Sequence, residues 1–225
     1  ALFGDRLSVD ISNMMSDACY VIVNEEKNGG SYDEFRRRVL EAFAVECPIS
    51  EEDFTAGSVE ALSSRMVDAM YVVLKEKMER VVKDVYPFIK NVYEAPDNHY
   101  RMIGVPFSDG IKTLHMGVDL EKAYNTAGHQ VALDLQKNIV LSITDDAWKQ
   151  HLKDMDDLRE TVRNAVYEQK DPVLIYKFEA YELFQAMINR VNLSVISFLM
   201  KGRLPIQDPS RVEQVRKAKR AVGRE

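Results

Sequence analysis

The feature that most constrains this chain is a helical apolar period that runs for more than thirty residues, stops, and resumes. Val131, Leu135, Ile139, Ile143, Trp148, Leu152, Met155, Leu158 and Val162 recur at three- and four-residue steps. Leu174, Ile175, Phe178, Tyr181, Leu183, Phe184, Met187, Ile188, Val191, Val195 and Leu199 do the same. Between them lies only a short link, "AVYEQKDP", Ala165 to Pro172. Asp171 has the side chain of an N-cap, and Pro172 fits the first helical position, where a missing N–H costs nothing. Gly202 and Pro205 end the second run. Two long amphipathic helices with a short connection become antiparallel neighbours. The spacing therefore predicts a helical hairpin with Tyr167 near its tip, where apolar Ala165 and Val166 are unusual for a turn.

The rest of the chain is read the same way. Leu7, Ile11, Met14, Met15, Ala18 and Ile22 predict a first helix over about residues 2–24, closed by Gly29 and Gly30. Ser31 and Glu34 form a capping box that opens a second helix through Glu46, with Pro48 as its stop. Ser50 starts a short turn of helix. Ser58 caps a long helix carrying Leu62, Met66, Ala69, Met70, Val73, Met78, Val81 and Val85. Pro87 is expected to kink or interrupt it. After Pro96 the period shortens. "YRMIGVPF" and "IKTLHMGV" flank Ser108-Asp109-Gly110, a β-hairpin signal, with Pro106 at an edge or bulge. From Asp119 the helical period returns and runs to about Asn164, roughly 60–70 Å, with a bend expected at Gly128. The fold class is all-α, long amphipathic helices with an antiparallel helical hairpin plus one small β-hairpin. Only 7 prolines and 10 glycines among 225 residues agree with that.

Composition and motifs exclude more than they specify. A net charge of −6 argues against a nucleic-acid binder. The basic stretch around Arg216, Lys217, Lys219 and Arg220 reads as a solvated linker. Cys19 and Cys47 are too few for a disulfide framework or a zinc site and read as small buried hydrophobes. No run of 18 or more apolar residues is present. There is no phosphate loop, dinucleotide fingerprint or serine-hydrolase elbow. His151, with Asp154 three residues on, reads as a surface hydrogen bond or ion pair. Asp154, Asp156, Asp157 and Glu160 read as a solvated helix face rather than a metal site. The Met66–Met78 face and Trp148 read as core packing, with an adaptable binding face as the alternative for the methionines. The chain begins "ALFGDRL", inside a helical pattern, so a piece of a longer protein is expected. Residues alone thus give a helical interaction module with no catalytic residue and no metal.

Ser142 to Met187 carries a resemblance. Trp148, Lys149, His151, Leu152, Met155, Asp156, Leu158 and Arg159 are followed in register by Tyr167, Gln169, Lys170, Asp171, Pro172, Tyr176, Lys177, Glu179, Phe184 and Met187. This closely resembles the two-helix finger of the SecA family, ATP-driven motors of bacterial preprotein export. The strong match covers Val131 to Met200; residues 1–130 match more loosely. The resemblance implies the end of a scaffold helix over 1–28 and a helical wing domain over 29–130. The β-hairpin near 100–118 looks like an addition to that wing. The two-helix finger would occupy 131–202, and a C-terminal linker 203–225. It implies that ATP and Mg2+ belong to parts of the parent protein outside this chain, which itself holds no cofactor. It also implies contact of Tyr167, Val166, Ala165, Gln169 and Lys170 with a translocating preprotein and with the SecY channel. Trp148, His151, Met155, Arg159, Asp171 and Pro172 would be structural or regulatory finger residues. The other implied partners are the rest of the motor and, through the parent, an anionic membrane surface. The expected location is the cytoplasm, peripherally on the inner face of the plasma membrane. The rival reading is a helical adaptor or scaffold module without a translocation role.

Overall fold

The computed structural model describes residues 2–96, 99–164 and 171–205. Seven helices and one two-stranded sheet follow in the order α1 (Leu2–Gly29), α2 (Tyr32–Phe43), α3 (Glu51–Ala56), α4 (Val59–Tyr93), β1 (Met102–Ser108), β2 (Thr113–Asp119), α5 (Leu120–Asn125), α6 (His129–Asn164) and α7 (Pro172–Lys201). The fold is mostly α with one β-hairpin, as expected.

Helix starts are set locally. Ser31 accepts from the Glu34 N–H while the Glu34 carboxylate accepts from the Ser31 N–H at 2.8 Å, a closed capping box. The Ser31 N–H and hydroxyl, both donating to it, hold the Glu34 carboxyl below its ordinary pKa. Ser50, Ser58 and Asp119 cap α3, α4 and α5, each accepting the backbone N–H three residues on.

Helix ends depart from the sequence reading. The first helix continues past Asn24 to Gly29. The second stops at Phe43, because Ala44 adopts φ 54° and its N–H returns to the Leu40 carbonyl. Pro87 does not interrupt α4, which runs through it to Tyr93. The single helix expected from Asp119 is two. Ala127 and Gly128 have φ of 50° and 88°, and they separate α5 from α6. Gly128 sits against the Val82 carbonyl and Tyr86, where an added Cβ would be 3.2 Å from that carbonyl oxygen. Packing on α4, as well as the left-handed turn, therefore favours glycine there.

The core is shared by α1, α4, α6, α7 and the hairpin. Ile11, Met15, Ile22, Met66, Met70, Leu135, Ile139, Val195 and Leu199 are all buried in one cluster. The methionine face of α4 is therefore core, as its helical spacing predicts. Polar contacts also fasten the elements. The Asn192 amide of α7 donates to Asp17 of α1 at 2.9 Å. Lys27 at the end of α1 donates to the carbonyls of Phe54 and Thr55 at 2.6 and 2.9 Å and lies over the Phe54 ring.

The β-hairpin packs with a two-residue period. Ile103, Val105 and Phe107 of β1 and Met116 and Val118 of β2 are buried, and their neighbours face out. Its register is regular from Met102↔Asp119 to Ser108↔Thr113. Pro106 therefore occupies an edge and not a bulge. Its missing N–H lies on the side of β1 away from β2, so no ladder bond is lost. The turn is tied by Asp109, whose Oδ1 accepts from the N–H groups of Ile111 and Lys112 at 2.9 and 2.7 Å.

Candidate functional site

The helical hairpin predicted from the apolar period is formed by α6 and α7. Asp171 caps α7 as expected: its Oδ1 accepts from the Val173 N–H at 2.9 Å, with Pro172 in the first turn. Ala165, Val166, Tyr167, Gln169 and Lys170, the residues singled out at the tip, lie outside the described residues. The site that can be built upward is the shaft just below them.

Along that shaft α7 changes character. Its C-terminal half is core: Met187, Val191, Val195, Ile196, Phe198, Leu199 and Met200 are buried. Its N-terminal half leaves large apolar side chains in solvent. Leu174, Phe178 and Tyr181 follow i, i+4, i+7 spacing and are 53, 65 and 60% exposed. Phe184 is 40% exposed, and on α6 Trp148 and Leu152 are 45 and 50% exposed. Isolated exposed apolar residues are ordinary, but six on one stretch of a two-helix shaft are not.

Trp148 and His151 correct the sequence reading. Trp148 is not a core anchor; it lies half-exposed on the shaft. His151 is not on the polar surface but 6% exposed. Its ring lies between Trp148, with centroids 5.5 Å apart, and Phe184 across the helix pair, at 5.9 Å. The expected Asp154 partner instead accepts from Gln150 at 2.8 Å. A histidine enclosed by two aromatic rings joins α6 to α7 at mid-shaft. Met155 is half-buried beside it, and Arg159 is exposed. Asp156, Asp157 and Glu160 are exposed as well. Among the described residues, no group of three or more His, Cys, Asp or Glu could hold a metal ion.

The base of the shaft carries chemistry that helical periodicity does not reveal. Lys77 of α4 donates to the Met200 carbonyl at 2.5 Å, capping the last turn of α7. Burial, with Arg80 and Arg203 nearby, pushes its pKa down to about 8. A cleft of about 450 Å³ opens between α6 and α7, lined by Ile143, Ala147, Val191 and Phe198, with the β-hairpin turn at its rim.

The helix α7 is long and apolar enough to cross a membrane, but 44% of that stretch is buried inside the fold. The apolar character is thus divided between the core and the exposed shaft, which a core helix with a docking face also produces.

Comparison with known proteins places this architecture. Residues 1–203 match the model of the SecA wing and scaffold domain. The chain is 44% identical over 219 residues to the protein translocase subunit SecA of Flavobacterium psychrophilum, covering 95% of this chain and 20% of that protein. It is 43% identical to the SecA of Christiangramia forsetii, over 97% of this chain and 20% of that one. With the SecA of Phocaeicola vulgatus it shares 38% identity, over 97% and 19%. The chain spans about a fifth of the length of the relatives it matches. With the family model matched from α1 through the end of α7, the chain belongs to the SecA wing-and-scaffold family.

Proposed function

We propose that this chain is the part of an ATP-driven preprotein translocase that engages the export channel and its polypeptide substrate and restrains the motor's ATPase. In this reading residues 1–28 end a scaffold helix, 29–130 form the wing with its β-hairpin, 131–202 are the finger, and 203–225 are a linker. ATP and Mg2+ are bound by the remainder of the parent protein. The partners are a SecY-type channel, unfolded preproteins and the rest of the motor, with an anionic membrane surface reached through the parent. The work is done at the cytoplasmic face of the plasma membrane.

The observation that carries this reading is the finger's outer half. Its exposed aromatic and aliphatic side chains are covered by nothing among the described residues. Such a surface is stable in water only at a cost of about 25 cal/mol per Å² of apolar area left uncovered, so its retention fits a surface that docks. Aromatic side chains suit a substrate that varies in sequence, because a flat apolar face grips without reading hydrogen-bond patterns. Tyr167, in the link between the two helices, has the chemistry to add a hydroxyl to such a face. A paired-helix shaft, locked at His151 and rooted in the core at Leu199, carries displacement from the base to the tip.

The test is Tyr167→Ala in the complete motor. Translocation of an unfolded preprotein is expected to fall on the order of tenfold, the effect of losing one aromatic anchor. The melting temperature should stay constant. Unchanged translocation would remove the finger assignment and favour a scaffold module.

A further inference from the structure

The proposed function gives the β-hairpin no role of its own, and the hairpin touches both α6 and the end of α7. On α7 it is fixed firmly. Ser108 and Arg203 exchange a pair of backbone hydrogen bonds at 2.9 and 2.8 Å, so the chain leaving α7 is tied to the outer edge of β1. Phe107 is fully buried, its ring 6.0 Å from Phe198 of α7. Gly202 is packed so closely that an added Cβ would stand 2.0 Å from the Phe107 ring. On α6, β2 packs along the helix, and the turn adds one exposed ion pair, Lys112 to Asp146 at 2.9 Å, its side chains 47 and 60% exposed. Between these two attachments lies the cleft of about 450 Å³.

A turn that folded only to close a hairpin would have no reason to reach a helix 34 residues away in sequence. Ile111 at its apex is 97% exposed, so the turn buries almost nothing itself. What it does is bridge both finger helices where they part. Exposed ion pairs are weak and screened by salt, whereas paired backbone bonds under a buried phenylalanine are neither. Of the turn's own ties, the backbone pair to Arg203 is the firm one and the ion pair to Asp146 the weak one.

The geometry points to the β-hairpin as a strut that positions the finger, anchored on α7 through Phe107, Ser108 and Gly202 and latched to α6 by Lys112 and Asp146. Lys112 and Asp146 are positioning residues: closed, the latch ties α6 to the hairpin turn; open, α6 keeps its packing on α7 and β2 and loses the tie to the turn. This rests on the finger reading above and adds to it the element that sets the finger's base.

Hydrogen exchange on the intact chain tests it. In Lys112→Asp and in Asp146→Lys, amides of residues 143–150 in α6 are expected to exchange about three- to tenfold faster, as a weak contact's loss allows. Amides of residues 11–23 in α1 should be unchanged, which shows that the fold is retained. The double variant Lys112→Asp with Asp146→Lys should return residues 143–150 to the original rate, which altered helix propensity at residue 146 cannot do. Unchanged rates in the single variants, or no recovery in the double, would overturn the strut. Neither result depends on Tyr167, so failure here leaves the tip assignment intact, and failure of Tyr167→Ala leaves the exchange result standing.

Discussion

Replacing Gly202 by alanine adds one methyl group at the point where the β-hairpin, the end of α7 and the outgoing chain converge. The backbone there has φ −57°, which alanine adopts freely, so no conformational strain enters. The cost is steric. The new Cβ would lie 2.0 Å from Cε1 and 2.8 Å from Cδ1 of Phe107, and 2.7 Å from the Phe198 carbonyl oxygen. Phe107 is fully buried, so its ring has no solvent to turn into. Either the ring moves off Phe198 or the hairpin lifts from α7, and overpacking of this kind costs about 1–3 kcal/mol. For a chain of this size that is a fall in melting temperature of roughly 2–12 °C. Calorimetry or a circular-dichroism melt reads it. Phe107→Leu makes room at the ring. Alone it should destabilise, but joined to Gly202→Ala it should recover part of the alanine's cost, giving a favourable coupling in the double-mutant cycle. If Gly202→Ala melts unchanged, or if the two substitutions simply add, the close packing of hairpin on α7 is not what holds this junction.

Two further outcomes follow from buried titratable groups. The folded-state pKa of Lys77 is about 8, against 10.5 for the free side chain. Between those values the unfolded chain holds the proton and the folded chain does not, so this group's contribution to stability rises with pH from about 8 to about 10.5. Denaturation of Lys77→Met beside the parent chain should show a stability difference that moves in the parent's favour across that window, and a flat difference would refute the assignment. Burial pushes the Cys19 thiol up to about 12, while Cys47 is half-buried and less strongly raised. A thiol reagent at pH 8 should therefore label Cys47 in the native chain and reach Cys19 only on unfolding; mass spectrometry that finds Cys19 labelled first would contradict the packing of α1.

Much of the fold was legible because its signals are local. Ser31, Ser50, Ser58, Asp119 and Asp171 each cap a helix within three residues of themselves, and Asp109 ties a turn within the same reach. The resemblance from Trp148 to Met187 identified the family before any coordinate did. What failed did so where a distant partner intervened. His151 beside Asp154 looks like a surface pair until Phe184, 33 residues later, encloses the ring. Ala127 carries no sign of a positive φ; the docking of Gly128 on Val82 and Tyr86 accompanies the break there. Pro87 does not interrupt its helix: α4 runs through it, flanked by the buried Val85 and Ile89.

The sequence by itself therefore determined the class, the starts of α2, α3, α4, α5 and α7, the pairing of α6 with α7, and the family. Tertiary structure alone decided which apolar side chains are core and which are left on the shaft. Periodicity shows that Trp148, Phe178 and Tyr181 share a helix face with buried residues nearby, but not whether another element arrives to cover them. It likewise decided that the β-hairpin stands against α6 and the end of α7, because Ser108 meets Arg203, and Lys112 meets Asp146, only after the helices between them have packed.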